Sequence, residues 1–344
     1  MRVHRWQGGG KMPMGNPYRS LLGVAGGGST VETLVGGDGG FIVTTESADY
    51  STGWTDRNTA AGASTTGITG TAVGASSRML AVGASGYIRT STDGGAVWTD
   101  RNGAAGTPSG GITTWETCAI GPNASLLMYA SAYAYVRIST DGGVSWVDRT
   151  AASGGYASQY FRGSAIGPSD QILAVGNFYV STSTDNGATW VNRTTAAGAA
   201  ATVIYGCAIG PSGEMIAVGA AGYVRTSTNA GVTWTDRTTA AGGGALTLAD
   251  AAIGPSGEML VVGGNGYIRT STDGGAAWTD RSTASGIGGN DAYGCTIGPT
   301  GQMLALGSAG WIRASTDGGG TWADINSAAG AGSTILRAAS TGPA

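Results

Sequence analysis

Charged side chains are scarce in this 344-residue chain. They make up 11% of the residues, where an ordinary globular domain has about 25%. The chain contains one lysine, one histidine and five glutamates, and its formal net charge is −3. Without a basic run it does not resemble a binder of nucleic-acid phosphates. Because His4 is the only imidazole, a Ser-His-Asp triad would have to use the N-terminal segment.

Long apolar runs and metal or phosphate motifs are also missing. No stretch of about 18 apolar residues is present to span a membrane, and the N-terminus lacks the apolar core of a secretory signal. The chain has no phosphate-binding Gly-x-x-x-x-Gly-Lys motif, no His-Glu-x-x-His and no Cys-x-x-Cys. We therefore expect no cofactor, no metal, no nucleic-acid partner and no membrane insertion.

Cysteine is rare as well, with three residues in the chain, Cys118, Cys207 and Cys295. Their odd number and nearly equal spacing suggest equivalent positions in a repeat, where each would be a small buried apolar residue.

Glycine, by contrast, is abundant, with 65 residues. Glycine and the nine prolines together stay below the roughly 25–30% that indicates low complexity. Ten tryptophans and thirteen tyrosines argue against a disordered chain.

Seven tryptophans recur every 44 residues, with one step of 48, and each ends a Ser-x-Asp-x-Gly-x-x-Trp phrase. The first copy is degenerate and the fifth has Asn in place of Asp. The paired positions are Asp49 and Trp54, Asp93 and Trp98, Asp141 and Trp146, Asp185 and Trp190, Asn229 and Trp234, Asp273 and Trp278, and Asp317 and Trp322.

Each phrase predicts a turn between two strands. The Asp carboxylate can accept hydrogen bonds from turn N–H groups, Gly can adopt a positive φ, and the Trp ring can cover the turn. Upstream, Pro-Ser-Gly turns such as Pro211–Gly213 separate two further apolar strands. Four strands per repeat, without a helical period, predict a β-propeller.

The phrase resembles the Asp-box, or bacterial neuraminidase repeat, over residues 20–344. The chain is thus similar to the Asp-box propellers, which include sialidases, sortilin-type domains and photosystem assembly propellers. The resemblance implies an all-β fold, a seven-bladed β-propeller of four-stranded antiparallel blades, each with an Asp-box. We expect an extended arm at residues 1–17 and the propeller at 18–344.

Residues 335–344 align without gaps with the first strand at 291–300. We expect this C-terminal segment to close the ring, although residues 21–26 could supply the closing strand instead.

Sialidases use three arginines, a Tyr–Glu pair and an Asp, so the resemblance raises the question of catalysis. Here most arginines recur at the same two places in each repeat, which indicates a structural role. Glutamate is scarce, and only Glu116 stands alone in a variable segment. A glycosidase needs two carboxylates facing one bond, and no such pair is visible. We assign no catalytic residue.

The segment that enters each first strand varies between repeats. It should lie opposite the Asp-boxes near the central funnel, where aromatic rings could stack on sugars. Binding and simple drift in permissive loops would both produce this variation. The candidate ligand-binding residues are Trp115, Glu116, Tyr160, Arg162, Tyr205, Asp250, Asp291 and Tyr293.

These observations favour a non-catalytic binding or structural protein. Our main hypothesis is a virion component, associated with a phage tail or capsid, that binds surface glycans and contacts other chains through its N-terminal arm. The alternatives are a glycoside hydrolase of sialidase type and an assembly factor for a membrane protein complex.

Overall fold

The computed structural model describes residues 31–104, 114–123, 125–130, 135–150 and 160–343. Its strands form seven four-stranded antiparallel sheets, numbered here as blades 1–7 in chain order. Six of them, blades 2–7, each consist of four strands that are consecutive in sequence, and the remaining sheet, blade 1, joins three N-terminal strands to the C-terminal strand. The predicted all-β propeller of four-stranded antiparallel blades is confirmed.

The first strand of each blade lies nearest the axis. These inner strands are β4 (Ile68–Gly74), β8 (Trp115–Ile120), β12 (Phe161–Ile166), β16 (Ile204–Ile209), β20 (Leu248–Ile253), β24 (Ala292–Ile297) and β28 (Leu336–Pro343).

The second strands are β1 (Val31–Gly37), β5 (Arg78–Gly83), β9 (Leu126–Ala130), β13 (Ile172–Gly176), β17 (Met215–Gly219), β21 (Met259–Gly263) and β25 (Met303–Gly307). The third strands are β2 (Ile42–Thr45), β6 (Ile88–Ser91), β10 (Tyr135–Ser139), β14 (Tyr179–Ser183), β18 (Val224–Ser227), β22 (Ile268–Ser271) and β26 (Ile312–Ser315).

The outer strands have two residues each: β3 (Thr55–Asp56), β7 (Thr99–Asp100), β11 (Val147–Asp148), β15 (Val191–Asn192), β19 (Thr235–Asp236), β23 (Thr279–Asp280) and β27 (Ala323–Asp324). Short helices α1 (Thr238–Ala241), α2 (Ser282–Ser285) and α3 (Asn326–Ala329) follow three of them, and 3₁₀ turns occur at Asp38–Gly40, Ala220–Gly222 and Ser308–Gly310.

The C-terminal strand β28 closes the ring. It pairs antiparallel with β1 in blade 1 and contacts the inner strands β4 and β24 of the two neighbouring blades. Thr33 of β1 lies opposite Thr341 of β28, and their hydroxyl oxygens are 3.1 Å apart. The first and last described strands of the chain therefore share one blade. The expected arm at residues 1–17 and the alternative strand at 21–26 lie outside the described residues.

The hydrophobic core lies between neighbouring blades. Between blades 6 and 7, for example, Leu260, Val262 and Ile268 pack with Cys295 and Met303. Because a blade is covered on both faces, its second strand reads as a continuous apolar run, and all five residues of β13, β17, β21 and β25 are buried. The three cysteines are free and buried on inner strands, as predicted.

The Ser-x-Asp phrases form tight turns at the C-terminal end of each third strand. In blade 2 the Asp93 carboxylate accepts hydrogen bonds from the Ser91 hydroxyl (2.8 Å) and the Val97 N–H (2.9 Å). The Trp98 indole N–H donates to the carbonyl oxygen of Gly95 at 2.8 Å. The seven tryptophans each donate one such bond, and even the degenerate first copy does so, from Trp54 to the Tyr50 carbonyl.

The recurring arginines are held within the blades. Five third-strand arginines form ion pairs with an outer-strand aspartate: Arg89 with Asp100, Arg137 with Asp148, Arg225 with Asp236, Arg269 with Asp280, and Arg313 with Asp324. Four of these guanidinium groups also lie over a tyrosine ring two residues earlier in the chain. They brace the blade, as the sequence pattern indicated.

Candidate functional site: one mouth of the central channel

The seven inner strands surround a central channel with a volume of about 350 Å³. All seven inner strands run in the same direction along the channel. They therefore all begin at one mouth, called here the first mouth, and all end at the other, the second mouth. The Ser-x-Asp turns, and the turns such as Pro211–Gly213 that follow the inner strands, lie on the same face as the second mouth. The first mouth lies on the opposite face, together with the loops that join one blade to the next.

A β-bulge occurs at the second residue of each inner strand. In β12, for example, Phe161 is opposite Gly176 and Gly163 is opposite Val175, which leaves Arg162 outside the ladder. A bulge re-aims the side chain of the extra residue. The equivalent residues all line the channel, and we call them the mouth ring: Thr69, Glu116, Arg162, Tyr205, Ala249, Tyr293 and Arg337.

The residue before each bulge has the opposite environment. All seven are apolar and at most 2% exposed: Ile68, Trp115, Phe161, Ile204, Leu248, Ala292 and Leu336. The variable segments of the sequence thus contain two kinds of position, a buried anchor and a channel-facing side chain. The mouth ring carries no repeat pattern, with two arginines, two tyrosines, one glutamate and two small residues.

Arg162 and Tyr205 form a stacked pair within the mouth ring. The Arg162 guanidinium lies 5.1 Å from the centroid of the Tyr205 ring. Its Nε donates a hydrogen bond of 2.8 Å to the side-chain oxygen of Asn177, in the turn between β13 and β14. The stack and this bond fix the orientation of an exposed cation.

The second arginine of the ring, Arg337, is held differently. Its Nε and Nη2 donate to the two carboxylate oxygens of Asp38 at 2.5 and 2.8 Å, in a bidentate pair. This pairing is the main cause of a raised pKa of the Arg337 guanidinium, to which Tyr293 and Glu116 also contribute. Arg337 therefore joins the C-terminal strand to the β1–β2 turn within blade 1.

Asp250 lies one residue deeper in the channel than the ring. Blades 2, 4, 5 and 7 have glycine at this place, at positions 70, 163, 206 and 294. The Asp250 carboxylate accepts backbone N–H bonds from Ala251 (2.9 Å) and from Cys295 of the next blade (3.0 Å). Burial raises its pKa to about 7, although both bonds oppose the shift.

The structure separates the eight residues that the sequence nominated. Glu116, Arg162, Tyr205 and Tyr293 belong to the mouth ring, and Asp250 lines the channel below it. Tyr160 is 45% exposed just outside the ring. Their role in binding stays a prediction.

Two nominated residues have other roles. Trp115 was wrongly placed on the rim: it is 2% exposed, because the position before the bulge packs between blades 2 and 3 against Leu80 and Val82. Asp291 lies outside the ring, where its carboxylate accepts the Asn265 N–H at 3.0 Å and so stabilises a turn.

Sequence reasoning left Arg337 and Thr69 out of the candidate ligand-binding residues, and it missed Asp38 and Asn177. Arg337 and Thr69 could have been found from the alignment of the repeats, since they occupy the same place as Arg162. Asp38 and Asn177 lie in the turns between the second and third strands of blades 1 and 4.

The second mouth differs in chemistry. Near the ends of six inner strands its wall is aliphatic, with Val73, Ile120, Ile166, Ile209, Ile253 and Ile297, and β28 contributes Thr341 at the equivalent place. Charged and aromatic side chains therefore face one mouth of the channel, and mostly aliphatic side chains face the other.

Over the described ranges, no three His, Cys, Asp or Glu side chains lie together in a way that could hold a metal ion. None of the helices in the same ranges has the length and apolarity needed to cross a lipid bilayer.

Comparison with known proteins identifies the fold family. The family model of the photosynthesis system II assembly factor YCF48 matches residues 113–313. The solved structure of YCF48 bound to a D1 peptide is similar, with a TM-score of 0.60 and 17% identity, over 81% of this chain and 90% of that chain. YCF48 from Cyanidioschyzon merolae gives a TM-score of 0.57 and 14% identity, over 77% and 86% of the two chains.

A GH74 xyloglucanase from Xanthomonas campestris also shares the fold, with a TM-score of 0.59 and 18% identity. The similar region covers 86% of this chain but 46% of that enzyme. No curated protein matches the chain in sequence. Since the YCF48 model spans more than half of the residues, the chain belongs to the photosynthesis system II assembly factor YCF48 family.

Proposed function

We propose that this protein is a non-catalytic propeller that binds an extended peptide segment of a partner protein at the mouth ring, and that it serves in the assembly of a membrane protein complex. Family membership supports the assembly role, and the D1 peptide held by a similar propeller supports a peptide ligand. The comparisons thus favour what the sequence offered as an alternative. They give no support to a virion component or to glycan binding.

The observation that carries the proposal is the set of seven bulges. They direct a non-repeating group of charged, aromatic and small side chains to one mouth of a repetitive protein. A bulged residue is also left out of the strand ladder, and its side chain is re-aimed. Side chains give such a surface its specificity, and backbone hydrogen bonds add affinity.

The glycosidase alternative has no specific observation in its favour. The likeness to the xyloglucanase shows the fold alone. The ring contains one carboxylate, Glu116, and the nearby Asp250 directs its carboxylate oxygens to backbone N–H groups. These two groups do not present the opposed, free carboxylates that glycoside hydrolysis requires.

The proposal is tested by selecting peptides from a random dodecapeptide phage library on the immobilised protein. Synthetic copies of the enriched peptides should bind in solution, as measured by fluorescence polarisation. Tyr293→Ala should weaken binding about tenfold, the effect of losing one well-buried aromatic contact. Arg78→Ala, at the opposite mouth, is the control that should bind normally. Failure to enrich any peptide, or equal binding by the Tyr293 variant, would refute the proposal.

A further inference from the structure

Blade 4 carries an exposed aromatic residue in a strained backbone conformation beside the mouth ring. Phe178 is 51% exposed and has a φ of +57°. A bulky side chain rarely adopts this left-handed region, because its Cβ approaches the backbone too closely. The Phe178 side chain therefore buries little apolar surface, and its backbone conformation is unfavourable. The stability of the fold alone does not explain a phenylalanine at this position.

Five other blades, 1, 2, 5, 6 and 7, form the same turn without an aromatic residue. In blades 2, 5, 6 and 7 the second and third strands are joined by a Gly-x-x-Gly turn, at 83–86, 219–222, 263–266 and 307–310. Their left-handed residues are glycine, alanine, serine or asparagine. The blade 4 turn, Asn177-Phe178, is one residue shorter. Phe178 thus replaces small residues that would fit the conformation with less strain.

Hydrogen bonds place Phe178 next to the exposed cation of the ring. The Asn177 N–H donates to the carbonyl of Tyr160 at 2.9 Å, and the Asn177 side chain accepts the Arg162 Nε at 2.8 Å. The Phe178 N–H donates to the carbonyl of Thr202 at 3.1 Å, which ties the turn to blade 5. One edge of blade 4 therefore presents two exposed aromatic rings, Tyr160 and Phe178, around Arg162.

Arg162 also differs from the other arginine of the ring. Arg337 is neutralised by Asp38, whereas no ion pair within the described part of the chain includes Arg162. Its Nε is committed to Asn177, and one face of the guanidinium lies on Tyr205. An arginine oriented in this way matches a carboxylate supplied from outside.

We propose that Tyr160, Arg162 and Phe178 form an anchor site for an acidic–aromatic peptide segment, in which a carboxylate binds Arg162 and an aromatic or large aliphatic side chain packs on Phe178. In an extended strand, residues i and i+2 lie on the same face about 6–7 Å apart, so the two groups are expected two positions apart. This inference rests on the proposed peptide-binding function and names the class of sequence that the mouth selects.

The decisive variant is Phe178→Asn. Asparagine tolerates a positive φ, and Asn265 adopts a φ of +53° in the corresponding turn of blade 6. The substitution should therefore raise the melting temperature by about 2 °C while it lowers affinity about tenfold. Phe178→Tyr should keep the affinity. A merely structural role for Phe178 predicts that stability and binding change in the same direction.

The experiment uses the dodecapeptides selected on the parent protein. Enriched sequences should contain Asp or Glu two positions from an aromatic or large aliphatic residue, and Arg162→Ala should weaken their binding at least tenfold, in contrast to Arg78→Ala. Each synthetic peptide is made with a C-terminal carboxylate and with a C-terminal amide. Equal affinity of the two forms means that Arg162 binds a side-chain carboxylate, and loss of affinity in the amide form means that it binds the chain terminus. Binding peptides without this motif, with unchanged affinity for Phe178→Asn, would overturn the anchor site and leave the proposed function standing.

A glycan array tests whether the mouth binds a sugar and not a peptide. A bound glycan whose retention depends on Phe178, in the absence of any selected peptide, would overturn both the anchor site and the peptide-binding function.

Discussion

The guanidinium of Arg162 lies over the ring of Tyr205, 5.1 Å from the ring centroid, and the two residues occupy the same bulged position in adjacent blades. The contact therefore crosses a blade interface at the mouth of the channel. A cation held in this way is oriented before any partner arrives, which reduces the entropy lost on binding.

A double-mutant cycle can measure this stack. Arg162→Ala and Tyr205→Leu, alone and together, should show a coupling of about 0.5–1 kcal/mol in the free energy of unfolding, the range of an exposed cation–π contact. Chemical denaturation monitored by tryptophan fluorescence provides the measurement. Strictly additive effects would mean that the two side chains are independent.

Asp250 should make stability depend on pH. Its pKa rises from 3.8 to about 7 on folding, so between these values the folded protein binds more protons than the unfolded chain. The free energy of unfolding should therefore fall as the pH rises from about 4 to about 7, by about 1–3 kcal/mol.

Two variants isolate this effect in urea titrations at several pH values. Asp250→Asn removes the charge, and Asp250→Gly installs the residue that four other blades have at this place. Relative to the parent, both variants should gain stability as the pH rises through this window. Parallel pH profiles of parent and variants would show that Asp250 titrates in the same range in both states.

The Ser-x-Asp turns allow a matched comparison within the chain. Asp185 accepts hydrogen bonds from the N–H and the hydroxyl of Thr189, and Asn229 in the next blade makes the corresponding pair with Thr233. Asp185→Asn should therefore leave the melting temperature nearly unchanged. Asp185→Ala loses the bonds and should lower it by about 2–4 °C.

The same turn predicts an acid dependence. Hydrogen bonds from Thr189 are the largest cause of a lowered pKa of Asp185. A lowered pKa stabilises the fold above the ordinary value of 3.8, and this stabilisation disappears as the pH falls below it. The difference in melting temperature between the parent and Asp185→Ala should therefore become smaller below about pH 4. Thermal scans of both proteins at pH 3 and pH 7 provide the measurement. An equal difference at the two pH values would contradict the prediction.

Ring closure by β28 predicts a stabilising cross-link. The Thr33 and Thr341 hydroxyls are 3.1 Å apart across the closing pair, so Thr33→Cys with Thr341→Cys should form a disulfide. A bond that joins such distant residues should add at most about 5 kcal/mol, and engineered bonds often add less. The oxidised variant should melt at a higher temperature than its reduced form. Equal melting temperatures, with the bond confirmed by mass spectrometry, would mean that the closing strands do not separate when the protein unfolds.

Much of the fold could be predicted from the sequence because the same physical demand recurs in each blade. Each turn needs a side-chain acceptor and a left-handed residue, and each indole N–H needs a carbonyl, so the phrases ending at Trp98 and Trp278 repeat almost unchanged. The strand that pairs with β1 could also be predicted, because residues 335–344 repeat the sequence pattern of a first strand.

The site was only partly predictable because the bulges are not visible in composition. Trp115 and Glu116 are adjacent in sequence, yet one is buried between blades and the other faces the channel. A regular strand would also place them on opposite faces, but the sequence does not say which face is which. The ion pair between Arg337 and Asp38 joins residues that are almost a full chain length apart, and no local sequence pattern predicts it.

Peptide binding at the mouth ring decides the proposed function. It is tested most directly by photo-cross-linking with benzoylphenylalanine, placed at Ala249 in the ring or at the exposed Val232 near the opposite face, in the presence of a selected dodecapeptide. A peptide bound at the mouth ring should be cross-linked from position 249 and not from position 232. A cross-link from position 232, with none from position 249 while the peptide remains bound, would contradict it.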